Sequence, residues 1–284
     1  MKPLIINMAP TGMVPTKKHT PHVPISIAEI AHDVKIGMNH GVSMFHLHPR
    51  GEDGLPTIDV GIWSELMATV KAINSDIITC GTTSGRNVTD PNLRATVLNL
   101  PEELRPDMAS LTLGSMNFIK GASVNSPDTI KFLAKTMLEN GIKAELEVFD
   151  LGMVNFAHVL IKEELLQPPY YFNILLGNIA TAQASMAHLS LIVNELPEDS
   201  IWSVTGLGQN QNRMTALGVV EAEGVRIGLE DNIWYDNART KLATNEMLVK
   251  RVVSIANAYE REIASPIDVR KLLKLNSIHK KEIL

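Results

Sequence analysis

Two histidines, one residue apart, close an apolar segment and could bind a divalent metal ion. His46 and His48 follow the run 41–45, which is typical of a buried β-strand. Alternate side chains of a strand share one face, so both imidazoles point the same way while Leu47 points to the other face. Pro49 then ends the strand because it has no N–H to donate. Two imidazoles on one face are half of a transition-metal site, although a solvated strand end also explains an isolated pair.

A third ligand is available at the end of the last predicted strand. The run 225–230 contains Arg226 and ends on Glu230, with Asp231 next in the chain. Two imidazoles and one carboxylate, with a position left open, are typical of catalytic zinc. If Glu230 points at the metal, Asp231 can act as a general base beside it, and Arg226 either holds Asp231 or binds a substrate carboxylate. The acidic pair could instead stabilise a helix N-terminus, and Arg226 could form a structural ion pair.

Eight strand-then-helix units position these residues. The predicted strands cover residues 4–9, 41–48, 76–81, 108–114, 144–150, 170–176, 201–205 and 225–230. The predicted helices cover residues 26–40, 59–74, 129–140, 153–162, 183–194, 211–222 and 245–261, with a further helix opening at 90–91. Apolar strands alternating with amphipathic helices predict a parallel sheet covered by helices, and eight units close into a (β/α)₈ TIM barrel. The alternative, an open doubly wound sheet, wants a glycine-rich turn after its first strand, which residues 10–13 do not provide. We expect a single α/β domain over residues 1–284, with a short helical tail at 266–275.

The carboxyl ends of barrel strands carry the active site in this fold, so their polar residues are candidates for it. The third strand leads into Thr82 and Gly85, and the fourth carries Ser110. The fifth carries Glu145 and Glu147 on one face of an otherwise apolar segment. Buried carboxylates need partners, which favours a functional role for this pair.

Composition limits the classes of function. The chain of 284 residues has a formal net charge of −5, which gives no electrostatic reason to expect nucleic acid. Its one cysteine, Cys80, excludes an intramolecular disulfide and fits a reducing compartment. The apolar run 4–9 is too short for a signal-peptide core or a membrane span. We therefore expect a soluble cytoplasmic protein without a membrane partner.

Several motifs together resemble one known family, the β-keto acid cleavage enzymes, over residues 4 to about 273. The motifs are Thr16-Lys17 with Pro21 and Pro24, His46-Leu47-His48 with Arg50, Pro106-Asp107-Met108-Ala109, Glu145-Leu146-Glu147-Val148-Phe149-Asp150 and Val225-Arg226-Ile227-Gly228-Leu229-Glu230-Asp231-Asn232. The resemblance implies a zinc-dependent barrel, usually a homotetramer. It also implies a reaction in which a β-keto acid and acetyl-CoA give acetoacetate and a new acyl-CoA.

The resemblance also implies a role for each matching residue. Zinc would be held by His46, His48 and Glu230. The base would be Asp231, supported by Arg226 and by the hydroxyl of Thr82. Substrate contacts are implied for Thr82, Gly85 and Ser110. We add Glu147 to the catalytic residues because it is a carboxylate on an apolar strand that ends at this site.

Val14 marks a departure from family members that act on an aminated substrate, which carry a glutamate at the matching position. Valine cannot pair with a cation, and burying an unpaired ammonium group is costly. We therefore expect a β-keto acid with a neutral or apolar tail, bound in part by Val14.

A metal-dependent hydrolase of the amidohydrolase type is the alternative function. Such barrels also use a His-x-His pair and a late acidic residue. They place the pair on the first strand and need further histidines at the ends of middle strands. Here the fifth and sixth strands end in 149–150 and 176–178, which contain no histidine.

Overall fold

Eight parallel strands close into a barrel in the computed structural model, which describes residues 1–275. In chain order the strands are β1 (Ile5–Met8), β2 (Met44–Leu47), β3 (Ile78–Gly81), β4 (Met108–Thr112), β5 (Met116–Phe118), β6 (Gly121–Ser123), β7 (Lys143–Val148), β8 (Tyr170–Leu176), β9 (Ser200–Gly206) and β10 (Gly224–Ile227). The barrel runs β1-β10-β9-β8-β7-β4-β3-β2, and β5 with β6 forms a separate antiparallel hairpin. The predicted (β/α)₈ barrel is confirmed, and the open doubly wound sheet is excluded.

Helices follow the barrel strands and cover their outer surface. They are α1 (Ile27–Asn39), α2 (Val60–Ile73), α3 (Pro91–Arg94), α4 (Pro127–Glu139), α5 (Leu151–Lys162), α6 (Met186–Asn194), α7 (Gln211–Glu221), α8 (Asn245–Ala258) and α9 (Pro266–Leu273). Ser26 caps α1 and forms a reciprocal capping box with Glu29, as the sequence predicts. None of the helices within residues 1–275 has the length and apolar character needed to cross a membrane.

Some predicted element boundaries are wrong, for local reasons. The helix predicted to open at 90–91 does begin there, as α3 with Asp90 as N-cap, and it continues as a 3-10 helix, Ala95–Asn99, which ends at Leu100 because Pro101 forces that residue into extended backbone. Helix α6 begins at Met186 rather than at 183, where Ser185 provides the N-cap. Helix α8 stops before 261, as Glu260 adopts a left-handed backbone with φ +56°.

The barrel interior has an apolar floor and a polar upper half. Residues of alternating position point inward, and the lowest layer packs against α9 through Val269 and Leu273. The inward apolar residues of this layer are Ile5, Met44, Ile78, Met108 and Tyr171. The predicted C-terminal tail therefore forms α9, which covers the N-terminal end of the barrel. The polar residues predicted for the active site lie at the opposite end.

The last barrel strand is shorter than predicted, and this changes where Glu230 sits. β10 ends at Ile227, and Gly228 turns the chain with φ +153°. A Cβ at Gly228 would lie 2.0 Å from the carbonyl oxygen of Ala9, so only glycine fits this turn. Glu230 and Asp231 consequently lie in a turn above the strand rather than on the strand itself.

Candidate active site

Three side chains converge at the carboxyl ends of β2 and β10. The Nε2 atoms of His46 and His48 lie 3.1 Å apart, and Oε1 of Glu230 lies 3.2 Å from Nε2 of His48. Both imidazoles are buried, and the ligand atoms of all three residues lie within 4.8 Å of one another. The alternation of β2 brings the two imidazoles to one face, as the sequence predicts.

These distances fit a tetrahedral divalent metal ion. Ligand atoms about 2.0–2.1 Å from a tetrahedral zinc ion are about 3.3 Å from each other. Burial lowers the pKa of His48 to about 4, so its imidazole is neutral and can offer a lone pair. Oε2 of Glu230 is buried without a hydrogen-bond partner in the described chain. Two imidazoles and a carboxylate suit zinc, and the same set accepts cobalt or nickel.

A loop fixed by Arg50 closes one side of the triad. Its guanidinium donates to the carbonyl oxygens of Gly12 and Pro15, at 2.5 and 2.9 Å. Gly12 has φ +69°, and a Cβ there would lie 2.4 Å from Cγ of Glu230. Glycine therefore allows this loop to pack directly on the third ligand. Val14 lies between the two fixed carbonyls, 46% exposed.

Glu145 orients the first imidazole from within the barrel. Its Oε2 lies 2.6 Å from Nδ1 of His46, and its Oε1 accepts the amide of Asn7 at 2.6 Å. The thiol of Cys80 also donates to Oε2 at 3.2 Å. Burial would raise the pKa of Glu145, but the charges of His46 and Arg226 lower it to about 2. An ionised Glu145 keeps the proton of His46 on Nδ1 and leaves Nε2 for a metal.

The cluster of His46, Cys80 and Glu145 has the residue types of a second metal site. The 2.6 Å between His46 and Glu145 is shorter than the spacing of two ligands on one zinc ion and matches a charge-assisted hydrogen bond. We therefore assign Glu145 and Cys80 to the support of His46.

Arg226 joins three carboxylates beside the triad. Its guanidinium contacts Asp231 (2.9 Å), Glu230 (2.8 Å) and Glu147 (3.2 Å). The contact with Asp231 is two-pronged, through Nε and Nη2. Of the two roles that the sequence left open for Arg226, the geometry gives the first, because the guanidinium is buried and holds Asp231.

The surroundings of Asp231 are compatible with its predicted role as the base. Burial raises its pKa and so does the neighbouring Glu230, while Arg226 opposes both effects. A carboxylate with a raised pKa binds a proton more firmly than an ordinary aspartate, which suits a general base. Burial likewise raises the pKa of Glu147, whose other oxygen accepts the hydroxyl of Thr112 at 2.7 Å. Glu147 thus positions Arg226 from the opposite side.

The predicted substrate contacts lie together at the ends of β3 and β4. The Ser110 hydroxyl accepts the N–H of Thr83 at 3.2 Å, which ties the two strand ends. The Thr82 hydroxyl accepts the N–H of Ser84 at 3.2 Å and keeps its own proton to donate, so its support of Asp231 stays a prediction. Gly85 is packed tightly, since a Cβ there would lie 2.7 Å from Arg94. Contacts of these residues with substrate also stay predictions.

Two residues at this end of the barrel were not predicted as part of a site. Arg86 directly follows Gly85, and its Cζ lies 3.7 Å from the centroid of the Phe118 ring. Phe118 belongs to the β5–β6 hairpin, which the sequence analysis missed because its strands have three residues each. An arginine directly after a hydroxyl-rich strand end was the available signal for Arg86.

Comparisons with known proteins identify the family of this chain. A family model described as beta-keto acid cleavage enzyme matches residues 3–275. A 3-keto-5-aminohexanoate cleavage enzyme of Fusobacterium nucleatum is 37% identical over 279 residues, covering 97% of this chain and 99% of that protein. A 3-oxoadipate:acetyl-CoA acetyltransferase of Cupriavidus necator is 30% identical over 280 residues, covering 98% and 96%.

The comparison with solved structures supports the fold. The apo structure of ObcA superposes with a TM-score of 0.77 at 21% identity, covering 90% of this chain. This chain spans 66% of the length of ObcA. The full-length family match and the 37% identical relative go further than the fold. With its barrel, its His-x-His pair and its late Glu-Asp pair, this chain belongs to the beta-keto acid cleavage enzyme family, a family of enzymes.

Proposed function

We propose that this protein is a metal-dependent β-keto acid cleavage enzyme, with zinc as the metal. It condenses a β-keto acid with acetyl-CoA and releases acetoacetate and a new acyl-CoA. The observation that carries the proposal is that a metal triad and an arginine-held aspartate share one barrel mouth. Their closest link is Arg226, 2.8 Å from Glu230 and 2.9 Å from Asp231. Membership of the family and the acetyl-CoA-dependent activity of the Cupriavidus necator relative support it.

The ligands of the metal would be His46, His48 and Glu230. When bound, the ion would supply Lewis acidity to the ketone oxygen of the β-keto acid and so stabilise the charge that develops on that oxygen. Glu145 accepts a hydrogen bond from Nδ1 of His46 and so directs Nε2 of that ring towards the metal, and burial keeps His48 neutral. The charge of Glu145 also raises the pKa of His46, so metal binding would displace a proton from Nε2 of that imidazole.

Asp231 is the group that moves the proton. It removes a proton from the α-carbon, and the resulting carbanion attacks the acetyl carbonyl of acetyl-CoA to form a carbon–carbon bond. The expelled CoA thiolate adds to the ketone carbon of the original acid. Cleavage between that carbon and the α-carbon gives the new acyl-CoA and the carbanion of acetoacetate, to which Asp231 returns the proton. Arg226 fixes the direction of the carboxylate throughout, because Glu147 and Glu230 hold the guanidinium from other sides.

Val14 supports a preference for a neutral or apolar tail. Val14 is 46% exposed in a loop that packs on Glu230, and its apolar side chain cannot pair with an ammonium group. Thr82, Gly85 and Ser110 are proposed to contact the acid, since they line the adjoining strand ends. A homotetrameric assembly and a cytoplasmic location belong to the same proposal and rest on family resemblance and on the single cysteine.

A coupled assay tests the proposal directly. Purified protein is incubated with acetyl-CoA and 3-oxopentanoate, 3-oxohexanoate or 3-keto-5-aminohexanoate, and both acetoacetate and the new acyl-CoA are quantified. We expect equal amounts of the two products, more from the oxo acids than from the amino acid, and a metal content of about one ion per chain. Products that form without acetyl-CoA would indicate a hydrolase, and preference for the amino acid would refute the role given to Val14.

A further inference from the structure

We propose that Arg86, held against Phe118, is a carboxylate-binding residue of the active site and takes the carboxylate of the β-keto acid. This inference rests on the proposed function and assigns part of its substrate recognition. The structure supplies the anchoring of the side chain, the free donors of its guanidinium and the charge around it.

Arg86 is anchored from three barrel strands. It leaves the turn after β3, and its guanidinium stacks on Phe118 at 3.7 Å. Phe118 in turn packs edge-on against Phe149, at 6.0 Å between centroids, directly after β7. Asn178, after β8, donates to the carbonyl oxygen of Asn117 at 3.0 Å and holds the hairpin over this end. The stack fixes the plane of the guanidinium and leaves its N–H edge open.

The open edge distinguishes Arg86 from the other arginines around the site. Arg50 and Arg94 donate to carbonyl oxygens, and Arg226 donates to carboxylates. Between residues 1 and 275 the guanidinium of Arg86 makes no hydrogen bond. A planar guanidinium that is partly buried, stacked and without an acceptor matches a carboxylate in a two-pronged contact.

The charge balance of the site also favours a substrate-binding role for Arg86. Four carboxylates surround Arg226 or its neighbours, namely Glu145, Glu147, Glu230 and Asp231. When all four are ionised they outweigh Arg226 and a divalent ion together, and the nearby guanidiniums of Arg50 and Arg86, which both feel the charge of Glu230, offset this excess. Burial lowers the pKa of Arg86, and Glu230, Glu147 and Asp231 raise it, which places its charge within reach of these acids. Arg86 therefore adds positive charge to the site together with Arg50, and Arg50 already donates to the carbonyl oxygens of Gly12 and Pro15.

Titration calorimetry with metal-loaded protein tests which ligand group Arg86 binds. The ligands are acetoacetate with one carboxylate, 3-oxoadipate with two, ethyl acetoacetate with none, and acetyl-CoA. Arg86→Gln should weaken acetoacetate binding about 10- to 100-fold, the range for charge-assisted hydrogen bonds, and leave the ester and acetyl-CoA unchanged. Arg86→Lys should retain part of the affinity, and Phe118→Leu should give a smaller loss than Arg86→Gln. Weakening confined to 3-oxoadipate would overturn the inference, because Arg86 would then bind a second, distal carboxylate and not the one that every β-keto acid carries.

Arg251→Gln is the matched control, because Arg251 also stacks on an aromatic ring, at 3.8 Å from Tyr235, but donates to a backbone carbonyl. Every variant is checked for metal content and melting temperature against this control. Acetoacetate and 3-oxoadipate affinities within threefold of wild type in both Arg86 variants, or a larger loss for acetyl-CoA, would overturn the inference. No binding of either acid to wild type would overturn it too. Because binding is measured without turnover, failure of the cleavage assay would refute the proposed function separately.

Discussion

Replacement of Glu145 by glutamine should weaken metal binding although Glu145 is not a ligand. The carboxylate accepts on both oxygens, from Nδ1 of His46 on one side and from the amides of Asn7 (2.6 Å) and Asn173 (3.4 Å) on the other. Glutamine offers a single acceptor, so its NH₂ group faces a donor whichever way it is turned. If that group faces His46, the imidazole proton moves to Nε2, where it blocks the metal.

The size of the effect follows from the same contacts. The pKa of Glu145 falls from 4.5 to about 2, which corresponds to a preference of about 3 kcal/mol for the charged form in these surroundings. Removing a residue that orients a metal-binding histidine commonly weakens metal affinity 10- to 100-fold, or about 1.4–2.7 kcal/mol. We expect Glu145→Gln to fall in this range, because Glu145 is fully buried and both of its oxygens have hydrogen-bond partners.

Competition with a chromophoric chelator measures the zinc dissociation constant of wild type and variants at pH 7.5. Glu147→Gln is the control, since Glu147 lies two residues on, faces the same interior and contacts Arg226 and Thr112 instead of His46. We expect a change below threefold for the control. An affinity of Glu145→Gln within threefold of wild type, or equal losses in both variants, would refute the assigned role of Glu145.

The remaining predictions concern Asp231, the proposed base, and Arg226, which holds it. Asp231→Asn should retain the metal but lose turnover about 10²- to 10⁴-fold, whereas His48→Ala should lose both the metal and turnover. Metal analysis and the coupled assay on the same samples check this. Near-normal turnover of Asp231→Asn would exclude Asp231 as the base. In metal-free protein, Arg226→Met should lower the free energy of unfolding by about 3–5 kcal/mol at pH 8. Burial raises the pKa of Glu230 but Arg226 holds it well below its ordinary value of 4.5, so the stabilisation is present above that value and is lost on acidification. Urea unfolding should therefore show a smaller loss at pH 4 than at pH 8, and a loss independent of pH would contradict this account.

The barrel was predictable because its signal is repeated. Each apolar strand is followed by an amphipathic helix, and boundary errors of a few residues do not change the count of eight. The closeness of His46 and His48 was predictable for a similar reason, since the alternation of β2 and the extended residue that follows it keep the two side chains on one side wherever the strand begins. The placement of Glu230 near them followed from closure of the barrel, which sets β1 between β2 and β10.

Contacts across the barrel could not be predicted from the sequence. Glu145 could be identified as a buried carboxylate in need of a partner, but its pairing with His46 depends on the stagger of strands that are not neighbours in the chain. The choice between two roles for Arg226 likewise needed distances. The early end of β10 depends on the close approach of Gly228 to Ala9, a contact between opposite ends of the sequence.

Strand β7 links the two halves of the proposed chemistry. Glu145 and Glu147 are two residues apart and both point inward, the first to His46 and the second to Arg226. One strand thus orients a proposed metal ligand and, through Arg226, the proposed base. A slip of β7 by one residue would turn both carboxylates outward and abolish both contacts together. The turn at Gly228 completes the link, because it lets Glu230 face an imidazole while the next residue faces the guanidinium.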